Sequence, residues 1–418
     1  MSEPTTAPRL ITLPRDGMVS VVSDQPDLAS LVGQINTVTP VAIDAERAQS
    51  FRYSARAYLI QLRQADCGTT LLDPVALAGP DGATDLHALG DALTGCEWVL
   101  HAATQDLPCL AEVGMRPQRL FDTELAGRLL GLPRVSLSAM LTHYFGIELA
   151  KLHSADDWSR RPLPDTWLDY AALDVDYLLD LRDAVADDLA DAGKDDWARQ
   201  EFDDIMARFA ELIVSPEDRW RHTKGLSRLH DPRQLAIAHN LWLVRDELAC
   251  RLDIFPGRIL PDVSLVDATV ALCRLKPADV PDVILTLNGF TGPLARRQRR
   301  RWASAVQNAL QDDQSDLPQA QPSRGTPPPR AWNQLRPRAA KRWMTARPVI
   351  VEVAEQNSLP PENLMTVSTL ADVLWPDHAD YSEDGLRITM AQAHARPWQV
   401  DLAAPAIAAA LAGKSVHL

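Results

Sequence analysis

Five side chains in this sequence have the types and spacing to do metal-assisted chemistry. Asp44 and Glu46 stand two apart in Val41-Ala42-Ile43-Asp44-Ala45-Glu46, so on a strand both project from one face. Asp106 follows the apolar run Trp98-Val99-Leu100 and opens a helical stretch. Tyr170 and Asp174 are four apart in a helical pattern, one above the other. Singly, each has a plainer explanation: D-x-E as surface charge, Asp106 as an acidic first-turn residue favoured by the helix dipole, Tyr170 and Asp174 as a pair on an amphipathic face. Together they are more specific. Carboxylates that converge repel, by roughly 4 kcal/mol per pair at about 4 Å and an effective dielectric of about 20. Two divalent cations balance four carboxylates, and such a site performs in-line phosphoryl chemistry.

The elements that must hold these groups read as an α/β layer. Residues 38–46 predict a strand ending in the acids, where open α/β sheets expose functional groups. Ala57–Leu62 and Thr69–Leu72 predict the next two strands, with Asp73-Pro74 as a stop. Asp85–Leu93 reads as a helix, Trp98–His101 as a buried strand, Gln105–Val113 as a helix and Leu120–Asp122 as a fifth strand. From Pro164 to Asp191 the apolar spacing is helical throughout. Strands first, then strands mixed with helices, indicate a mixed sheet.

Beyond about residue 215 the pattern is helical. Asp231-Pro232 opens one helix, with Asp231 as N-cap and proline at the first helical position. Residues 312–330 are rich in Pro, Gln and Ser and read as a linker. Past it, Pro361–Asp372 aligns without gaps to Pro256–Asp267 at an offset of 105 residues, which predicts two related helical modules.

Composition narrows the class. The net charge is −14. Residues 1–210 carry 17 Lys+Arg against 33 Asp+Glu, and residues 211–418 carry 25 against 23. Within 215–348 the counts are 22 basic and 13 acidic, a local balance of +9. An acidic catalytic unit joined to a basic, phosphate-gripping unit accounts for this, as does solvated surface charge. No run approaches the roughly 20 apolar residues of a membrane span, and the first residues show no secretory pattern. The five cysteines include no C-x-x-C pair, which predicts reduced thiols and a cytoplasmic protein. Cys109, three residues after Asp106, reads as buried filler.

In order, spacing and element type the constellation resembles the DEDDy branch of the 3′–5′ exonucleases, and ribonuclease D in particular. Arg56-Ala57-Tyr58-Leu59-Ile60-Gln61-Leu62, Phe121-Asp122-Thr123, and Lys151 through Asp157-Trp158 to Leu163 extend the likeness, which spans roughly residues 20–205. The resemblance implies an α/β, ribonuclease H-like exonuclease domain with a mixed sheet over 21–212, after an N-terminal extension, 1–20. Trp220-Arg221, Pro232–Ala236, Arg245-Asp246-Glu247 and Pro256–Asp262 are similar to the HRDC module. It is placed at 213–310, followed by a linker, 311–330, and a second, divergent HRDC-like module, 331–418; both modules are all-α. The resemblance further implies that Asp44, Glu46, Asp106 and Asp174 hold two divalent metals. Hard oxygen donors, with no His or Cys at ligand spacing, favour Mg²⁺ or Mn²⁺. Tyr170 would orient the attacking water, Gln61 would face substrate, and Lys151 would contact phosphate or remain a solvated lysine. The implied activity is 3′–5′ exoribonucleolysis releasing nucleoside 5′-monophosphates, with RNA 3′ ends, tRNA precursors among them, as substrates. A single-stranded DNA exonuclease and a non-catalytic nucleic-acid adaptor stand as the alternatives.

Two readings of the basic run Arg296–Trp302 stay open: a solvated helix face, or a phosphate-contacting edge formed by Arg299, Arg300 and Arg301 with Trp302 stacking on bases. His101, Asp122 and Asp176 are read as structural.

Overall fold

A computed structural model describes residues 7–17, 19–150, 153, 155–211, 216–319 and 326–413. Its eight strands are β1 (Arg9–Ile11), β2 (Ser20–Val22), β3 (Val41–Arg47), β4 (Ala57–Gln64), β5 (Gly68–Leu72), β6 (Trp98–Leu100), β7 (Leu120–Asp122) and β8 (Ile147–Leu149). Six of them form one mixed sheet in the order β2-β5-β4-β3-β6-β7. β3, β4 and β5 run as an antiparallel meander, whereas β6, β7 and β2 join it in parallel. The β4–β5 reversal ends on Gly68 at φ +72°, the left-handed position that a three-residue hairpin loop requires. All five strands expected from sequence are present. β2 at the sheet edge and the separate parallel pair of β1 with β8 were not anticipated, because three-residue strands carry too few positions for alternation to register.

Val41, Ala42 and Ile43 have no exposed surface, which anchors β3 in the middle of the core. Across one face of the meander lies the helix Asp165–Asp176. Its Ala171 and Ala172 let it approach Tyr58, Leu59 and Leu71, with Trp158 and Trp167 filling the flank. The sequence predicts one helix through Asp191, but the chain breaks at Tyr177 and restarts as Leu178–Asp191. Apolar spacing continues across the break, so periodicity hides it. At the break, the buried Asp176 carboxylate accepts the Arg15 backbone N–H at 2.9 Å and also faces Arg15 Nε at 3.2 Å and Arg63 Nη1 at 3.3 Å.

Among the described residues, everything after β8 is helical or irregular. The 105-residue offset recurs in the elements. Helices Pro232–Leu252, Pro256–Ile259 and Asp262–Leu272 are followed, in the same order and from the same relative starts, by Pro337–Gln356, Pro361–Leu364 and Val367–Leu374. Each long helix packs against the last helix of its group, Arg299–Gln311 and Pro397–Leu411 respectively. The two groups join the sheet layer differently. Residues 220–317 enclose their own core and meet the loop after β3 through mostly polar contacts. Phe255 N–H donates to the Phe51 carbonyl at 3.1 Å, the Tyr53 hydroxyl donates to Asp246 at 3.0 Å, and Arg52 faces Asp253 at 3.4 Å. The Arg258 guanidinium lies 4.3 Å from the Phe51 ring centre.

The C-terminal group instead merges its apolar core with that of the sheet layer. Trp398 stacks on Trp197 at 4.8 Å, and its indole N–H donates to the buried Glu201 at 2.9 Å. Arg396 Nε donates to the same carboxylate at 2.7 Å. Lys194 donates to the Leu129 and Asn357 carbonyls across the junction. Gly131, at φ +73°, permits the approach, since a Cβ there would lie 2.3 Å from the Ser358 carbonyl. No described helix is long and apolar enough to cross a membrane.

Candidate active site

Strand parity places Asp44 and Glu46 on the β3 face covered by Asp165–Asp176, and the helical i, i+4 relation turns Tyr170 and Asp174 down towards them. Oxygens of Asp44, Glu46 and Asp174 lie within 4.8 Å of one another. Asp106 caps the helix Leu107–Glu112 with no side-chain cap bond of its own, which frees its carboxylate to lie beside Asp44 and pair with Arg47 Nη2 at 3.3 Å. Sequence thus anticipated all four acids at one locus, with three of them in mutual ligand range and Asp106 at the Arg47 side.

The electrostatics follow from that crowding. Burial, then repulsion from Asp44, raises Asp106 to about 8. Burial raises Asp44. Glu46 and Asp174 rise well above the usual carboxylate range, first through burial and then through their acidic neighbours. The Tyr170 hydroxyl, itself raised by burial and by Asp174, donates towards Asp174 and moderates its rise. Protein surrounds these carboxylates on most sides, yet Asp44 and Asp174 keep some open surface, as at the floor of a notch. Beside it runs a cleft of about 290 Å³ lined by Glu46, Arg47, Phe51, Gln105 and Asp156 among others. Burial pushes the neighbouring Cys109 thiol up to about 12. The clustered donors are hard carboxylate oxygens.

Other sequence expectations resolve individually. Gln61 sits opposite Asp44 on β4 but is fully buried, with neither amide atom hydrogen-bonded. The helix Asp165–Asp176 crosses that face of β4, and Gln61 has no exposed surface. Lys151 lies outside the described residues. Trp302 is fully buried edge-on against Phe290, so it has no face to offer a base. Its position is three residues before Ala305 and four before Val306 on the inward face of Arg299–Gln311. Arg299 pairs with Asp282 at 3.2 Å and Arg301 pairs with Glu247, whereas Arg300 is exposed. Asp122 caps its helix and also accepts the Ala102 and Ala103 N–H groups, and His101 contacts Thr123 at 2.8 Å. Burial lowers His101 to about 4, leaving it neutral.

Sequence reasoning missed two neighbours. Arg47 gave no signal beyond adjacency to D-x-E. His153 meets the Tyr170 ring edge-on at 5.8 Å while bonded to Asp156 at 2.6 Å; its sequence position, just after Lys151, was the available clue.

A mixed sheet that presents D-x-E on its central strand, with an aspartate at a following helix start and Y-x-x-x-D on a crossing helix, defines a 3′–5′ exonuclease domain. The family described as 3′-5′ exonuclease matches residues 19–190, and that described as 3′ to 5′ exonuclease C-terminal domain matches residues 325–411. Ribonuclease D of Zymomonas mobilis is 30% identical over 305 residues, covering 72% of this chain and 75% of that one. Ribonuclease D of Jannaschia sp. is 28% identical over 318 residues, 73% and 78% of the two chains. A crystal structure of a protein from Bifidobacterium adolescentis superposes with a TM-score of 0.81 at 32% identity, over 97% of this chain and 100% of that chain. Escherichia coli RNase D, described as an exoribonuclease involved in structured RNA processing, has the same fold at a TM-score of 0.70 and 24% identity, over 94% and 99%. The chain belongs to the ribonuclease D family and is a 3′–5′ exoribonuclease.

Proposed function

We propose that this chain trims RNA from the 3′ end by two-metal-ion catalysis, releasing nucleoside 5′-monophosphates, with tRNA precursors and other structured RNAs as substrates. One observation carries the metal reading: oxygens of Asp44, Glu46 and Asp174 converge within 4.8 Å, an arrangement whose repulsion calls for cations. With Asp106 these residues would hold two ions, Mg²⁺ or Mn²⁺. When bound, the ions supply water activation and stabilisation of charge on the attacking and leaving oxygens. The protein's own groups do the rest. Tyr170 keeps its proton, since its pKa is raised; its hydroxyl, facing Asp174, offers a lone pair that orients the attacking water. His153 and Trp158 steady the Tyr170 ring, and Lys151 contacts the phosphate. The named ribonuclease D relatives support RNA as the substrate class.

The helical parts would hold the body of the RNA: 213–310 as an HRDC module, then the linker 311–330 and a divergent second module, 331–418. The separate core of residues 220–317 and the shared 105-residue offset support this division. Arg299, Arg300 and Arg301 form the expected phosphate edge, with Arg299 and Arg300 exposed.

The test is 3′-end mapping of a labelled RNA and a matched DNA oligomer with Mg²⁺, with Mn²⁺ and with chelator, alongside the double variant Asp44→Asn/Glu46→Gln. Expected is stepwise RNA trimming that needs metal and is lost in the variant. Trimming that survives chelator, a preference for DNA, or an active double variant would each overturn the reading.

A further inference from the structure

Strict alternation along β3 would put Arg47 on the face opposite Asp44 and Glu46. The β3–β4 register slips between Glu46 and Arg47, so that Glu46 pairs with Leu59 and Arg47 with Ala57. The slip leaves Tyr58 as the extra residue on β4, a bulge that bends its own strand. Here it accompanies an Arg47 guanidinium that reaches the acids: Nη2 stands 3.3 Å from Asp106 Oδ1, and Nη1 donates to the Gln105 carbonyl at 2.5 Å. Its charge offsets the acidic repulsion at Asp44, Glu46 and Asp106 alike.

The pair is asymmetric in exposure. Asp106 is 7% exposed at its side chain and Arg47 19%; Nη2 faces the acid and Nη1 the Gln105 carbonyl, while Arg47 as a whole lines the cleft that also holds Gln49, Phe51 and Gln105. A divalent cation and a guanidinium cannot both sit against one carboxylate without like-charge repulsion. The arginine has five donors in a rigid fork matched to a phosphodiester. An arginine at that mouth therefore has a second destination.

We propose that Arg47 is a positioning residue with two stations: it holds Asp106 in the cation-free enzyme and, when a divalent ion takes that carboxylate, swings into the cleft to grip the phosphate next to the RNA 3′ end. The inference rests on the metal-dependent reading of the acids. It makes Arg47 a competitor of the metal and an ally of the substrate, so one substitution acts on the two ligands with opposite signs.

Calorimetric titration of the full chain with Mn²⁺ and steady-state hydrolysis of an RNA dinucleotide test this, using wild type, Arg47→Met and Arg47→Lys. Removing the charge tightens the weaker Mn²⁺ site by about tenfold, by Coulomb's law at a few ångströms from a doubly charged ion. It also raises KM by about tenfold through loss of a charge-assisted grip, with a smaller change in kcat. Arg47→Lys, which keeps the charge without the fork, holds Mn²⁺ affinity near that of wild type and raises KM only part of the way. Mn²⁺ affinity that falls or stays unchanged in Arg47→Met, or an unchanged KM, overturns the proposal alone. Arg47→Lys with strengthened Mn²⁺ binding does the same, even where Arg47→Met folds poorly. Wild-type protein that binds no Mn²⁺ brings down the metal reading as well.

Discussion

Asp44→Asn is expected to abolish trimming and yet stabilise the metal-free protein. Oxygens of Asp44, Glu46 and Asp174 lie within 4.8 Å of one another, so each charged pair repels by at least about 3 kcal/mol at an effective dielectric of about 20. Asp44 belongs to two of those pairs and also adjoins Asp106. Protons quench part of this, since burial and mutual repulsion raise all four acids. The relief from neutralising Asp44 at pH 8 is then about 2–4 kcal/mol, near one unquenched pair. Urea unfolding in chelator reads it as a higher midpoint for the variant at unchanged slope. Adding Mn²⁺ reverses the order, because wild type gains binding energy that Asp44→Asn lacks. A variant no more stable than wild type in chelator would refute the idea that these acids strain the empty site.

Three further outcomes follow from the same coordinates. Asp106 sits at about 8 in the folded chain, above its ordinary value, so its stabilising protonated form is complete below the ordinary carboxylate range. In chelator, stability should therefore fall as pH climbs to about 8, and Mg²⁺ should flatten that slope in pH-dependent urea titrations. Gln61→Met replaces a buried amide that has no hydrogen-bond partner and is expected to raise stability by about 1–3 kcal/mol; destabilisation in the same assay would reveal a partner. Glu201→Ala leaves the Arg396 guanidinium and the Trp398 indole without their shared acceptor. The cost is about 3 kcal/mol, and hydrogen exchange should quicken first in Pro397–Leu411.

The clustered acids were legible because each obeys a local rule: parity on β3, a helix start for Asp106, the i, i+4 relation for Tyr170 and Asp174. What the sequence hid depends on which surfaces meet. Gln61 shares the parity of Asp44, yet the helix Asp165–Asp176 crosses that face of β4 and Gln61 has no exposed surface. Trp302 looked available for stacking, and packing against Phe290 removes it. Arg47 should point away by alternation, yet its guanidinium reaches Asp106 at 3.3 Å. At the break at Tyr177, Asp176 meets Arg15, 161 residues away, a distance no local pattern spans. The repeat at an offset of 105 was visible, while the different attachment of its two copies was not, since a repeat pattern does not say what each copy packs against.

The short span from Glu46 to Tyr53 begins at the clustered acids and ends on the 220–317 helices, through Phe51, Arg52 and Tyr53. Such a span leaves no slack. Any tilt of those helices pulls on the end of β3 rather than being taken up by a tether, so the two parts share one mechanical frame. Strain applied at the far helices would be felt as a displacement of Glu46.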